Sequence, residues 1–193
     1  MKFEIFKDEI IKTIKNIDEN ELIGMIKNLS QVRKKGGRIF CLGVGGSAAN
    51  ASHLVNDLRK LCNIEAYCVS DNISELTARI NDEGWDSSYS NWLKTSNLNN
   101  KDALLILSVG GGNIKKKVSM NIVEALKLGK KRKCKILGLV GRDGGYAKKI
   151  GDNVVVIKVK KKELVTPIVE SFQVVLWHFM VSHNLLKVNK TKW

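Results

Sequence analysis

Three histidines occur in 193 residues, so each one is informative. His53 and Asp57 are four apart, and a helix through them places both on one face. Glu170 and His178 are eight apart, two turns plus a little, and they too lie near one face. Two imidazoles and two carboxylates are a donor set suited to zinc. Spacing alone leaves open whether the two segments meet. An isolated histidine is more often a satisfied, partly buried side chain than a ligand. His183, five after His178, points elsewhere and reads as surface.

Two glycine-rich stretches suggest anion binding. Gly43-Val44-Gly45-Gly46-Ser47 follows an apolar run and precedes a helical pattern. A turn of that kind aims backbone N–H groups and a helix dipole at a phosphate, and Ser47 adds a hydroxyl. The dinucleotide fingerprint is met only weakly, with Ala48 at its sixth position and Glu65 as the acidic residue by count alone. A Walker A loop is excluded, because no Gly-Lys-Ser/Thr follows. The second stretch is Ser108-Val109-Gly110-Gly111-Gly112-Asn113, after the run 103–107. Two such loops at the carboxyl ends of parallel strands converge on one crevice, so Ser47 and Ser108 are expected to hold one phosphate from two sides. The bland alternative is that these glycines only make tight turns.

The elements that must position these groups follow from periodicity. Residues 3–17 and 20–34 carry apolar side chains at helical spacing and read as an N-terminal arm of about 35 residues. Strands are expected at 38–42, 66–69, 102–107, 134–140 and 154–159, with helices over 48–60, 74–81, 87–95, 121–129 and about 167–186. Thr166 is the expected cap of the last helix and Pro167 its first residue. Continuous apolar strands separated by helices predict a mostly parallel sheet buried on both faces, a three-layer α/β/α sandwich. No domain boundary is visible, so residues 1–193 read as one domain, arm 1–35 and core 36–193.

Composition excludes several classes. With 44% hydrophobic and 27% charged residues the chain is expected to fold, not to remain disordered. No apolar run is expected to reach the ~18 residues of a membrane span. The N-terminus is amphipathic and contains acidic residues, unlike a secretory signal, so the expected location is the cytoplasm. Cys41, Cys62, Cys68 and Cys134 form no CxxC pair and read as reduced thiols. The net charge of +14 concentrates at 115–117, 130–135 and 158–162. Aromatic residues do not interleave with these runs, which argues against nucleic acid and for attraction of small phosphorylated molecules.

GGSAANASHLVNDL, SDNISELTARINDEGW, DALLILSVGGGN, ILGLVGRDGG and VESFQVVLWHFMVSH together resemble the sugar isomerase (SIS) fold. More narrowly, they are similar to the phosphoheptose isomerases, over about residues 22–183. The resemblance implies interconversion of sedoheptulose 7-phosphate and glycero-manno-heptose 7-phosphate, feeding activated heptose for surface polysaccharide. It implies a homotetramer with interfacial active sites, and zinc. The family's His and Glu fall on His53 and Asp57, and its Gln and His on Glu170 and His178. The family's phosphate-binding Ser falls on Ser47 and its Asn-Asp pair on Asn81 and Asp82. Its Ser-Thr-Ser-Gly-Asn-Ser loop aligns with residues 108–113, where Ser108 and Asn113 remain and the other hydroxyls are lost. Backbone N–H groups at Gly110, Gly111 and Gly112 would then have to carry the phosphate.

The implied chemistry is an aldose–ketose isomerisation through an enediol(ate). Asp57 is the expected base and His178 the general acid/base. Zinc on His53, Asp57, Glu170 and His178 would polarise the carbonyl. A second reading, a sugar-phosphate sensor that binds without turnover, is supported by the altered 108–113 loop. Isomerisation of another sugar phosphate is a third.

Overall fold

The computed structural model describes residues 1–191; the last two positions of the expected 1–193 domain lie outside the described residues. At its centre five apolar runs become parallel strands: β1 (Ile39–Leu42), β2 (Ala66–Cys68), β3 (Ala103–Ser108), β4 (Lys135–Gly141) and β5 (Asn153–Ile157). Their order is β2-β1-β3-β4-β5, and every pairing is parallel. All six residues of β3 are buried, as its unbroken apolar run predicts for a central strand covered on both faces.

Alternation along the strands assigns the two faces. Leu105 and Leu107 of β3 and Leu137 and Leu139 of β4 share a core with α2 (Glu19–Lys34), α3 (Gly46–Cys62) and α8 (Val165–Ser182). Leu104, Ile106 and Ile136 face the other way, onto α5 (Trp85–Thr95), α6 (Met120–Arg132) and α7 (Gly145–Ile150). This is the expected three-layer sandwich. Two further helices, α1 (Phe3–Lys15) and α4 (Ile73–Glu83), lie on its outside.

The N-terminal arm is tied to the body. Asp18 caps α2 by accepting the Glu21 N–H at 3.1 Å, and Leu22, Met25, Ile26 and Leu29 enter the core. The Glu21 carboxylate accepts from Lys148, from the Asn153 side chain and from the Val154 N–H. Burial pushes its carboxyl up, but these donors outweigh it and hold it below the usual carboxylate range. At the same amino-terminal end of the strands, Asp102 is buried and accepts from the Arg38 backbone and guanidinium, which fixes β1 against β3.

Two expectations need correction. The last helix begins at Val165, led in by a 3₁₀ turn over Lys162–Leu164, so Thr166 is not its cap. Pro167 is the third helical residue, where its missing N–H would have had no partner. The stretch Lys162–Ser182 is also long and apolar enough, by length and composition, to span a membrane. Half of it is buried in the fold, with Ile168, Phe172, Trp177 and Met180 in the core, so its apolarity serves packing against α3 and β4.

All four cysteines are free and buried. Burial pushes the Cys62 thiol up to about 11 and the Cys134 thiol to about 12. At pH 8 only ~0.1% of Cys62 is then thiolate. A thiol-reactive chromophore at that pH should label none of the four within minutes in the native state and all four in denaturant. Fast native labelling would show that the layers open readily.

Candidate functional site

The helices α3 and α8 pack against each other on one face of the sheet. Their contact brings His178 against His53 and Asp57, which precede it by more than a hundred residues. His178 Nε2 lies 3.4 Å from Asp57 Oδ2, and His53 Nε2 lies 3.8 Å from the same oxygen. Asp57 is 3% exposed, while both imidazoles reach solvent. Its other oxygen, Oδ1, accepts from the Asn56 amide at 3.1 Å. Trp177, fully buried, stands 5.3 Å from each imidazole and fixes the floor between them.

One ligand atom from each of His53, Asp57 and His178 lies within 4.8 Å of the other two. Tetrahedral zinc with bonds of about 2.0–2.1 Å sets neighbouring ligands about 3.3 Å apart. The 3.4 and 3.8 Å separations approach that value. Two imidazoles and one carboxylate, with a fourth position toward solvent, fit a divalent cation of this type.

Glu170 is the exception. The expected fourth ligand is not part of the cluster. Eight residues of helix are about 12 Å of rise, and Glu170 sits at the opposite end of that span from His178. Its carboxylate packs on Gly46 at the head of α3, where a Cβ would meet Glu170 Oε2 at 2.5 Å. A side chain at position 46 would push this carboxylate aside.

The glycine loops leave β1 and β3, the neighbours between which the strand order reverses, and open into one cleft of about 610 Å³. Ser47, Ser108, Gly110, Gly112 and Asn113 line it, as expected. The first loop is held by Tyr89, whose O–H donates to the Gly43 carbonyl at 2.6 Å. Burial pushes this phenol up to about 12, so it stays a donor. Ser47 Oγ accepts from Gln173 Nε2 at 3.1 Å, and Gln173 Oε1 accepts from Asn50 at 2.9 Å. With its acceptor side occupied, the Ser47 hydroxyl is left to donate.

The second loop corrects the expectation of a backbone cradle for two of its three glycines. The N–H groups of Gly110 and Gly111 donate to Ser108 Oγ, at 3.3 and 3.0 Å. The Asn113 N–H donates to the Val118 carbonyl. These donors serve the turn itself, as local side chain–backbone bonds do. Gly111 and Gly145 press backbone to backbone, and a Cβ on Gly111 would stand 2.0 Å from the Gly144 carbonyl. Asn81 and Asp82 lie exposed on α4, bonded to each other at 2.7 Å, and do not line the cleft of the single chain.

Several lining residues escaped the sequence reading: Lys116, Ser119, Arg142 and Thr166. Lys116 belongs to the 115–117 run, which the sequence marks only as a general attraction for small phosphorylated molecules and not as part of the site. Arg142 adopts φ +53°, Ser119 +52° and Lys117 +51°. Left-handed backbone costs a non-glycine residue about 1–2 kcal/mol. The other non-glycine cases, Asn63, Asn97 and Lys133, follow helix ends, where that conformation is routine. The three without that reason stand around the cleft.

Comparison with known proteins agrees with this geometry. The family profile described as SIS domain matches residues 5–141. A phosphoheptose isomerase of Pelobacter propionicus is 30% identical over 161 residues, covering 81% of this chain and 79% of that protein. A lincomycin biosynthesis protein of Streptomyces lincolnensis is 32% identical over 159 residues, 77% of this chain, and the match spans only 56% of that protein's length. Among solved structures, a phosphoheptose isomerase from Neisseria gonorrhoeae superposes with a TM-score of 0.79 at 25% identity, covering 93% of this chain and 95% of that one. The chain therefore belongs to the SIS domain family and, within it, to the phosphoheptose isomerases.

Proposed function

We propose that this chain is an aldose–ketose isomerase converting sedoheptulose 7-phosphate to glycero-manno-heptose 7-phosphate, for activated-heptose synthesis in the cytoplasm. The observation that carries the reading is the convergence of His53, Asp57 and His178 from α3 and α8. The relatives named phosphoheptose isomerase support the substrate. From Ser47 to His53 is six residues, about 9 Å of helix rise, a reach of the order of an extended sugar phosphate.

The reaction removes a proton from C1 of the ketose, passes through an enediol(ate), and returns a proton to C2. The O1–H proton is lost as the aldehyde forms, and O2 gains one, so atoms and electrons balance. Asp57 and His178 are the proposed proton carriers, because their polar atoms face each other at 3.4 Å and the imidazole reaches solvent. Zinc held by His53, Asp57 and His178 would supply polarisation of the carbonyl oxygen. Ser47, oriented by Gln173, donates to the phosphate, and Trp177 keeps water from the floor of the cluster.

The family resemblance implies a homotetramer with interfacial sites, and two observations support it. Ile14, Ile17, Ile23, Val175 and Phe179 line an apolar groove between the N-terminal arm and α8. Asn81 and Asp82 do not line the cleft that holds Ser47 and Ser108, which suits a role across an interface.

The sensor reading is favoured by one observation, the spent N–H groups of the second loop. Turnover separates the two. The purified protein should convert sedoheptulose 7-phosphate, and chelation should abolish conversion while zinc restores it. Asp57→Asn and His178→Gln should each lower turnover ~100-fold or more with the thermal midpoint retained. Tight binding with no conversion would establish the sensor.

Gln173→Leu should raise KM about tenfold through a misdirected Ser47 hydroxyl; an unchanged KM would remove Gln173 from the site. Phe179→Asp should reduce a solution mass of four times the 21.6 kDa chain toward that of one or two chains, whereas an unchanged mass would place the interface elsewhere.

A further inference from the structure

We infer that Lys116 and Arg142 form a two-cation clamp that takes the substrate's phosphate, in place of the hydroxyls missing from the second loop. The inference rests on the reading of the cleft as a sugar-phosphate site. Both residues line the same cavity as Ser47 and Ser108. Among the described residues, neither the Lys116 ammonium nor the Arg142 guanidinium has an ion-pair or hydrogen-bonding partner. The Arg142 Cδ lies 3.9 Å from where a Cβ on Gly110 would stand, so the side chain crosses over the second loop.

Two features make positive charge necessary here. The N–H groups of Gly110, Gly111 and Asn113 are already spent inside the loop. The Glu170 carboxylate occupies the head of α3 beside Gly46, where it meets the helix dipole that a phosphate would otherwise use. A phosphate dianion approaching Ser47 therefore meets negative charge on the α8 side and needs countercharge on the other. Asp143 also lines the cleft, but its Oδ1 accepts from the Gly145 N–H at 3.1 Å. Lys116 and Arg142 are the cations on the cavity wall. Arg142 is held there by left-handed backbone that a non-glycine side chain disfavours, and its fork suits phosphate.

The backbone strain supplies a clean variant. Arg142→Gly removes the guanidinium and relaxes φ +53°, so weaker binding cannot be blamed on a damaged fold. Calorimetric titration with inorganic phosphate should show about tenfold weaker binding for Lys116→Ala and for Arg142→Gly, and ~100-fold for the pair. Arg142→Lys should recover part of the loss. The thermal midpoint of Arg142→Gly should not fall. Wild-type-like phosphate binding by the double variant, or no phosphate binding by the wild type, overturns the clamp. Sedoheptulose 7-phosphate turnover is read separately. A wild type that binds phosphate through these two residues but turns over no sugar would refute the isomerase reading and leave the clamp standing.

Discussion

A carboxylate taken out of water needs a positive or hydrogen-bonding partner, and Asp57 finds its partners on two different helices. One oxygen is held by its own neighbour, Asn56; the other faces His53 from α3 and His178 from α8. That requirement locks the crossing of the two helices. Shifting either helix by one residue rotates it by about 100° and leaves the carboxylate facing apolar side chains. The contact also fixes Trp177 between the imidazoles, and Gln173, one turn earlier on α8, against Ser47. The cluster and the Ser47 end of the cleft are thus aligned by a single packed helix pair.

The parallel sheet performs the complementary task. Its order reverses between β1 and β3, so the loops leaving these strands diverge and open a crevice at their carboxyl ends. Tyr89 and Gln173 hold the first loop from two sides. The second loop is held by its own hydroxyl, Ser108, and by backbone contact with Gly144 and Gly145. A loop that satisfies itself in this way is rigid, but it has fewer N–H groups to offer an anion. Charge on flexible side chains at the rim is the physical substitute, and the Lys116 and Arg142 placements supply it.

Much of this was legible in the sequence because burial leaves a strong pattern. The all-buried run of β3 and the helical spacing of α2 and α3 placed the layers, and the His53–Asp57 interval placed two polar groups on one face. The meeting of α3 with α8 was not legible, since it depends on which helix covers which side of the sheet. Glu170 misled because an eight-residue interval gives nearly the right face while also giving about 12 Å of rise. Arg142 was missed because left-handed backbone leaves no mark in the residue type when the residue is not glycine. The spent N–H groups of 110 and 111 were missed because the Ser108 turn forms only once the strand ends.

In the proposed reaction the α3–α8 cluster moves a proton on a bound sugar phosphate. Incubating sedoheptulose 7-phosphate with the protein in D₂O, and reading C1 and C2 by NMR, tests it most directly. Deuterium is expected at C2 of the product and at C1 of recovered ketose, both lost in His178→Gln. Saturable binding of the sugar with no deuterium at either carbon would contradict it.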